Sequence, residues 1–159
     1  MALLMVAGCA RPGTVPEPGT GRSSPPLPVT SAAMGLRATG LHLRNCGRKP
    51  LTVEGYPALE LLDEDRKRLD VRVVQGVREV ARIDHWEVEP RRETVEPGES
   101  LVSVLVWRNL TTDGATIVTG EFLSVAPSGG LPGHTLALHV DAGNTGKVAV
   151  APWIAQRRR

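Results

Sequence analysis

Histidines, cysteines and the serines beside one apolar run are the side chains of this chain that could do chemistry. The four histidines are His42, His85, His134 and His139. A zinc site needs about three clustered His, Cys or acidic ligands, and these four are scattered along the chain. His134 and His139 differ by an odd number, so on one strand they would face opposite sides. We therefore expect no metal and no other cofactor.

The serines do not form the pattern of a hydrolase. A serine hydrolase needs an exposed serine with a histidine within hydrogen-bond reach and an acid behind it. Ser100 and Ser103 lie in or beside an apolar run, and the chain has no Gly-x-Ser-x-Gly turn. The sequence thus gives no support for this chemistry.

Cys46 is the remaining candidate nucleophile. The segment Asn45-Cys46-Gly47-Arg48 slightly resembles the cysteine-centred end of the L,D-transpeptidase motif, but the upstream Ser-His-Gly segment of those enzymes is missing. No nearby base or helix N-terminus is evident that could form the thiolate. We expect no enzymatic activity, with a thiol-dependent cell-wall enzyme using Cys46 as the alternative. Cys46 could otherwise be a turn residue or form an intermolecular disulfide.

Composition indicates one globular domain. The chain has 159 residues, a net charge of +2, and 41% hydrophobic and 23% charged residues. Aromatic residues make up only 3%, so a core must be built mainly from Val, Leu and Ala. The small net charge gives no electrostatic reason to expect nucleic acid binding. No apolar run approaches the roughly 18 residues of a membrane span.

The first nine residues resemble the end of a lipoprotein signal peptide. Val6-Ala7-Gly8-Cys9 is similar to a lipobox, in which small residues precede a cysteine that is lipidated and becomes the new N-terminus. A complete signal peptide has a basic start and an apolar stretch of about 7 to 15 residues. No Lys or Arg precedes Cys9, so residues 1–9 look truncated and we expect the true start upstream. The alternative is an unprocessed hydrophobic N-terminus on a cytosolic protein.

Residues 10–33 have the composition of a linker. They hold six prolines and three glycines among Ser, Thr and Glu, with few residues that could fill a core. A Pro-rich chain of this length could extend to about 75 Å. A lipid on Cys9 followed by this spacer predicts an extracytoplasmic domain, anchored to the cell membrane or secreted. A tail without a role is the alternative. Residues 155–159 form a short basic tail.

Residues 34–154 alternate between apolar and polar side chains, as strands do. Leu41 and Leu43 begin the pattern, which continues through Leu51 to Leu61 and ends with Leu136 to Val150. Leu101–Trp107 is apolar on both faces, so it must be a central strand, with Trp107 as the core anchor between two sheets. Short regular strands separated by turns predict an immunoglobulin-like antiparallel β-sandwich of about seven to nine strands.

Two loops are candidates for binding because long connections often carry function. Residues 75–90 contain His85 and Trp86, and the loose helical spacing of Val77, Val80 and Ala81 predicts a short helical turn there. Trp86 could be a recognition residue or could plug one end of the sandwich. Residues 109–114 follow the central strand and begin with Asn109. We predict a binding loop that includes His85, Trp86 and Asn109.

Several turn motifs together resemble a known family. Asn45-Cys46-Gly47 with Pro50, then Gly55-Tyr56-Pro57 and alternating leucines, is followed by Pro97-Gly98-Glu99-Ser100 and Trp107-Arg108-Asn109. The series of motifs ends with two further runs, Leu123–Pro127 and Val148–Pro152. This is similar to an uncharacterised family of secreted actinobacterial lipoproteins, domain of unknown function 4232, over roughly residues 36–153. Relatives usually carry additional cysteines, at Leu51 and near Asn144 for example, which implies disulfides that this chain lacks.

The resemblance also implies a special turn at residues 63–68. Relatives often place Gly there, where this chain has Arg66. If the turn needs a positive φ, we expect Asp65 or a longer loop to provide it. Taken together, the sequence predicts a non-catalytic envelope lipoprotein domain that contacts the membrane through Cys9 and binds an unknown protein or wall polymer. A passive spacer domain is a further alternative.

Overall fold

A computed structural model describes residues 4–6, 35–112 and 116–156. The lipidation site Cys9, the linker 10–33 and the terminal arginines 157–159 lie outside the described residues, so the predictions made for them stand as predictions. No helix among the described residues is long and apolar enough to cross a membrane.

The described residues form eleven β-strands and one short 3-10 helix. The strands are β1 Leu4–Val6, β2 Leu36–Arg44, β3 Leu51–Glu54, β4 Ala58–Leu62, β5 Arg72–Gln75, β6 Arg92–Val95, β7 Ser100–Arg108, β8 Val118–Ala126, β9 His134–Gly143, β10 Lys147–Val150 and β11 Ile154–Ala155. The helix is Asp84–Trp86, just after the position where a helical turn was predicted. At the predicted position the N–H groups of Val80 and Ala81 both donate to the Val77 carbonyl, which forms a single turn. The predicted all-β class is confirmed. The strands β1 and β11 were not predicted.

The larger sheet is built around β7. Its strand order is β1-β2-β7-β10-β5, and β11 also pairs with β7. On one side β7 runs antiparallel to β2 from Leu36 opposite Arg108 to Arg44 opposite Ser100. On its other side β7 pairs with β10 and then β11. The prediction of a central strand is therefore confirmed. Two pairs, β1 with β2 and β10 with β5, are parallel, unlike the antiparallel arrangement predicted.

The inner face of this sheet packs against the remaining strands. Those strands form a three-stranded sheet, β4-β8-β9, and a two-stranded sheet, β3-β6. The shared core includes Leu41, Leu43, Leu101, Leu105, Trp107, Val148 and Val150 from one side, and Val53, Leu59, Leu61, Val95, Leu123, Val125 and Val140 from the other. Trp107 is only 5% exposed within it, so its predicted role as a core anchor is confirmed.

The outer face of the same sheet is covered by the connection between β5 and β6, residues 76–90, which we call the cover segment. Val77, Val80 and Ala81 of this segment are buried in a second cluster with Val104, Val106, Ala149, Ala151 and Val74. This second cluster explains why β7 is apolar on both faces. The sequence showed that both faces must be buried but did not show what covers each of them.

The turn between β4 and β5 differs from its prediction. Arg66 itself has φ of 62°, and it is the described non-glycine residue with a positive φ. Its N–H donates to the Asp63 carbonyl at 3.0 Å, and its guanidinium lies 4.7 Å from the centre of the Phe122 ring. The cation–π contact and the turn hydrogen bond offset the strain of this conformation. The expectation that Asp65 or a longer loop would provide the positive φ was wrong.

Candidate binding groove

An open groove of about 560 Å³ lies on the outer face of the larger sheet, where the cover segment ends. Its lining residues are His85, Val88, Glu89, Arg91, Glu93, Val102, Trp153, Ile154, Ala155 and Gln156. Val102 of β7 and Ile154 of β11 are register partners and are both half-buried. They form an apolar floor, and the charged residues form a rim. Small-molecule sites commonly have this size.

The groove depends on a break between β10 and β11. Pro152 lacks an N–H and cannot continue the ladder along β7. At the break the Ser103 hydroxyl donates to the Ala151 carbonyl at 2.7 Å, and the Trp153 N–H donates to the Gly55 carbonyl at 3.0 Å. The Trp153 indole donates to the Pro127 carbonyl at 2.6 Å, which holds the ring in the inner core. The chain then rejoins β7 at Ile154, beside Val102.

The Gly55-Tyr56-Pro57 motif supports the groove from behind. The Gly55 N–H donates to the Arg91 carbonyl at 3.1 Å, so the motif is bonded on one side to the rim and on the other to Trp153. Burial raises the pKa of Tyr56, and the negative charge of Glu89 raises it further. The phenol therefore stays protonated at neutral pH. A motif that the sequence marked as a simple turn thus joins the two walls of the groove.

Two polar contacts hold the cover segment in place, one within the segment and one from β7. The Arg78 guanidinium pairs with the Glu87 carboxylate at 2.6 Å, and the Arg108 side chain donates to the Val80 carbonyl at 2.9 Å. The hydrogen bond from Arg78 lowers the pKa of Glu87 in spite of partial burial. Trp86 is half-buried against the outer cluster. The centroids of the Trp86 and His85 rings are 5.1 Å apart, and the two rings are arranged edge to face. Trp86 therefore packs on a sheet face and does not plug an end of the sandwich.

Asn109 lies at the opposite face. Its amide donates to Asp141, and the Trp107 indole donates to the other oxygen of the same carboxylate at 2.9 Å. Burial alone would raise the pKa of Asp141, but the hydrogen bonds from Trp107 and Asn109, with the charge of Arg37, lower it overall. This cluster ties the end of β7 to β9. The structure therefore places His85 in the groove, Trp86 beside it, and Asn109 away from both.

Cys46 is exposed and disulfide-bonded. A disulfide sulfur cannot act as the nucleophile that the thiol-enzyme alternative requires. The one other cysteine of the sequence, Cys9, lies outside the described residues. The neighbouring Asn45 is buried, and its amide donates to the Lys49 and Val95 carbonyls at 2.8 and 2.7 Å. These bonds give the Asn-x-Gly motif a structural role in closing the loop.

The remaining candidate groups stay apart. No cluster of three or more His, Cys, Asp or Glu that could hold a metal occurs in the part of the chain that the structure describes. His139 of β9 pairs with Glu121 of β8 at 3.1 Å on the exposed surface.

Sequence reasoning found His85 but missed most of the groove. Val102 lies in an apolar run and Ile154 in a two-residue strand, so neither looks different from a core residue in the sequence. Pro152 was the one available signal, because a proline after an apolar strand marks an interruption of the ladder. Which residues lie beside that interruption depends on the strand pairing.

Fold and groove together define an all-β domain that has an apolar surface cleft and a disulfide-bonded cysteine. The family model described as Domain of unknown function (DUF4232) matches residues 25–154, and the chain belongs to this family. The family resemblance noted in the sequence is thereby confirmed, while the secreted, lipid-anchored character is still a prediction. No curated protein and no solved structure matches the chain.

Proposed function

We propose that this chain is a non-catalytic interaction module of the cell envelope that binds a partner through the groove. The observation that carries the proposal is the exposed floor formed by Val102 and Ile154 beneath a charged rim. Apolar surface left open beside charged residues is typical of interaction sites.

The chemistry of the groove favours a protein partner over a wall polymer. Recognition of sugars commonly uses an exposed aromatic face, but the groove's Trp153 is only 1% exposed. The floor instead suits an aliphatic side chain, while the rim, with two carboxylates of Glu89 and Glu93 against the one guanidinium of Arg91, suits a basic residue beside it. We therefore propose an extended polypeptide segment with an apolar and a basic residue as the ligand.

Binding is tested with a pair of matched variants. Val88 of the rim and Leu131 of the β8–β9 connection are each 38% exposed, so changing either to Asp perturbs folding to a similar degree. Purified protein is incubated with envelope extract, cross-linked and analysed by mass spectrometry. We expect Val88→Asp to lose the captured protein by about tenfold, equivalent to about 1.4 kcal/mol, and Leu131→Asp to retain it.

Two results would contradict this assignment. Equal capture by both variants would remove the groove from binding and would favour the passive spacer. Capture that disappears when the extract is first digested with a wall hydrolase, and that no protein band accounts for, would make a wall polymer the ligand.

The proposed location of the domain outside the cytosol is supported by the small residues before Cys9 and by the spacer after it. We propose a lipid on the Cys9 sulfur and a membrane anchorage that leaves the domain facing outward. Metabolic labelling of the full reading frame with a fatty acid should label the wild-type chain and not Cys9→Ser. Unlabelled protein in the cytosolic fraction would refute the anchor without bearing on the groove.

A further inference from the structure

The outer edge of β2 already holds a short strand in this structure. Leu4, Met5 and Val6 of β1 pair in parallel with Leu41, His42 and Leu43 of β2. The β1 segment is apolar throughout its three residues. It is also separated from β2 in sequence by the long linker. The edge of β2 therefore accepts an extended apolar segment that is not part of the continuous domain sequence.

This edge lies at the open side of the sandwich. β2 is the last strand of the larger sheet apart from β1, and β9 is the last strand of the facing sheet. β1 is in contact with β9 as well as with β2, so it lies between the two sheets. Inward-facing residues of both strands, Leu41 and Leu43 of β2 and Leu138 and Val140 of β9, are buried in the core at this side.

Removal of β1 would leave the edge of β2 without a neighbouring strand. The backbone N–H and C=O groups of β2 that face β1, those of His42 among them, would lose their strand partner. The proposed cleavage before Cys9 would remove residues 1–8, and β1 with them. In that form the edge would present free hydrogen-bonding groups. Such an edge can be completed by a strand from another molecule.

We propose that the edge of β2 at Leu41–Leu43 is a strand-acceptor site, which takes an extended apolar segment of a partner protein running parallel to β2. The proposal rests on the proposed processing, because β1 must leave before a partner can enter. The site differs from the groove in chemistry, since main-chain hydrogen bonds supply most of the affinity and alternate side chains supply the selectivity.

Cys46 provides a separate check on the register. The β1–β2 pairing has a constant offset of 37 residues, and the same offset from Cys46 leads to Cys9. In the unprocessed chain we expect non-reducing peptide mapping to recover Cys46 linked to Cys9. A lipid on the Cys9 sulfur would prevent that bond, so the lipidated chain should lack this linked peptide. Recovery of a Cys46–Cys46 peptide from the unprocessed chain would overturn the register.

Hydrogen exchange of the complete, unlipidated chain tests the acceptor site. In Val6→Pro and Leu4→Pro the proline removes an N–H that faces β2 and should release β1, while Val6→Ala retains the backbone. We expect the His42 amide, which faces β1, to exchange about tenfold faster in the proline variants than in the wild type, while the Leu41 and Leu43 amides, which face β7, stay protected. Unchanged fluorescence of the buried tryptophans confirms that the domain is folded. Addition of a synthetic peptide of residues 1–8 should restore protection, and the same peptide with proline at Val6 should not.

Three outcomes would overturn the proposal. Unchanged exchange in both proline variants would mean that β1 does not protect the edge. Failure of the peptide to restore protection would mean that the edge does not accept a strand in trans. If protection of the β2 amides in the proline variants returned when only the protein concentration was raised, the edge would pair with a second copy of this chain. The fatty-acid label is measured separately, so failure of the processing is distinguishable from failure of the site.

Discussion

The inner and outer faces of the sheet built around β7 are both buried, but by different means. The inner face packs Leu and Trp side chains from regular strands against those of the facing sheets. The outer face packs Val and Ala side chains beneath the irregular cover segment. The inner face is closed by the facing sheets, whereas the cover segment leaves Val102 and Ile154 as the floor of the groove.

This difference indicates which face of a sheet in a small β-sandwich can accommodate a binding partner. A face closed by two hydrogen-bonded sheets cannot open without losing strand pairing, so it supplies stability. A face closed by a loop rests on fewer apolar contacts and on peripheral ion pairs, so it opens at lower cost. We therefore expect mutations on the inner face to change global stability, and mutations on the cover to change local opening and binding.

The largest expected effect is on the inner face. Trp107→Ala should reduce the free energy of unfolding by about 3 to 5 kcal/mol, because it leaves a cavity between the sheets and removes a donor from Asp141. Urea denaturation followed by circular dichroism measures the change. Trp107→Phe, which keeps much of the ring volume and loses the indole N–H, should cost less. Equal loss in both variants would mean that the hydrogen bond, and not the packing, is decisive.

A matched change on the outer face should have a smaller effect. Trp86 is half-buried and packs against the outer cluster, so Trp86→Ala should cost about 1 to 2 kcal/mol. The same urea experiment applies. A loss as large as that of Trp107→Ala would refute the distinction between the faces, since it would make the cover part of the cooperative core.

Acid should weaken the hydrogen-bonded cluster of Trp107, Asn109 and Asp141 at the end of β7. Because the folded-state pKa of Asp141 lies below its ordinary value of 3.8, ionised Asp141 stabilises the fold above that pH. This contribution is lost as the pH falls from about 4 through the folded pKa. Asp141→Asn should therefore show a flatter loss of stability with acid than the wild type. Thermal melts at several pH values below neutrality measure the slopes, and identical slopes would exclude Asp141 as the group responsible.

The smallest global effect is expected from the ion pair on the cover. Arg78→Met breaks the pair with Glu87, and Arg92→Met breaks a pair with Glu54 between β6 and β3. The two arginine side chains are similarly exposed, at 73% and 70%, but the Glu87 side chain is only 14% exposed and that of Glu54 is 69% exposed. Arg92→Met should leave the melting temperature nearly unchanged, because both members of its pair are exposed. Arg78→Met should lower it slightly, because the largely buried Glu87 carboxylate loses its partner. Only Arg78→Met should accelerate hydrogen exchange at Val80 and Ala81. Equal acceleration in Arg92→Met would show that the cover is not held locally.

The sequence predicted the class of fold well because each strand carries its own pattern. The run Leu101–Trp107 indicated a strand buried on both faces, and it pairs on both edges. The turn at Arg66 was mispredicted because a contact with Phe122, distant in sequence, makes its positive φ acceptable. The candidate binding residues were only partly correct for the same reason. Asn109 looked like a loop residue, but its partner Asp141 lies on another strand.

By itself, then, the sequence determined an all-β domain, its central strand, most of its turns and its family. These features depend on short-range periodicity and on residues such as Gly, Pro and Asn whose backbone preferences are local. Only the tertiary structure decided that residues 76–90 cover one face of the larger sheet, that Val102 and Ile154 form a floor, and that β1 occupies the edge of β2. Those facts depend on which segments, far apart in the chain, share a surface when the strands pair.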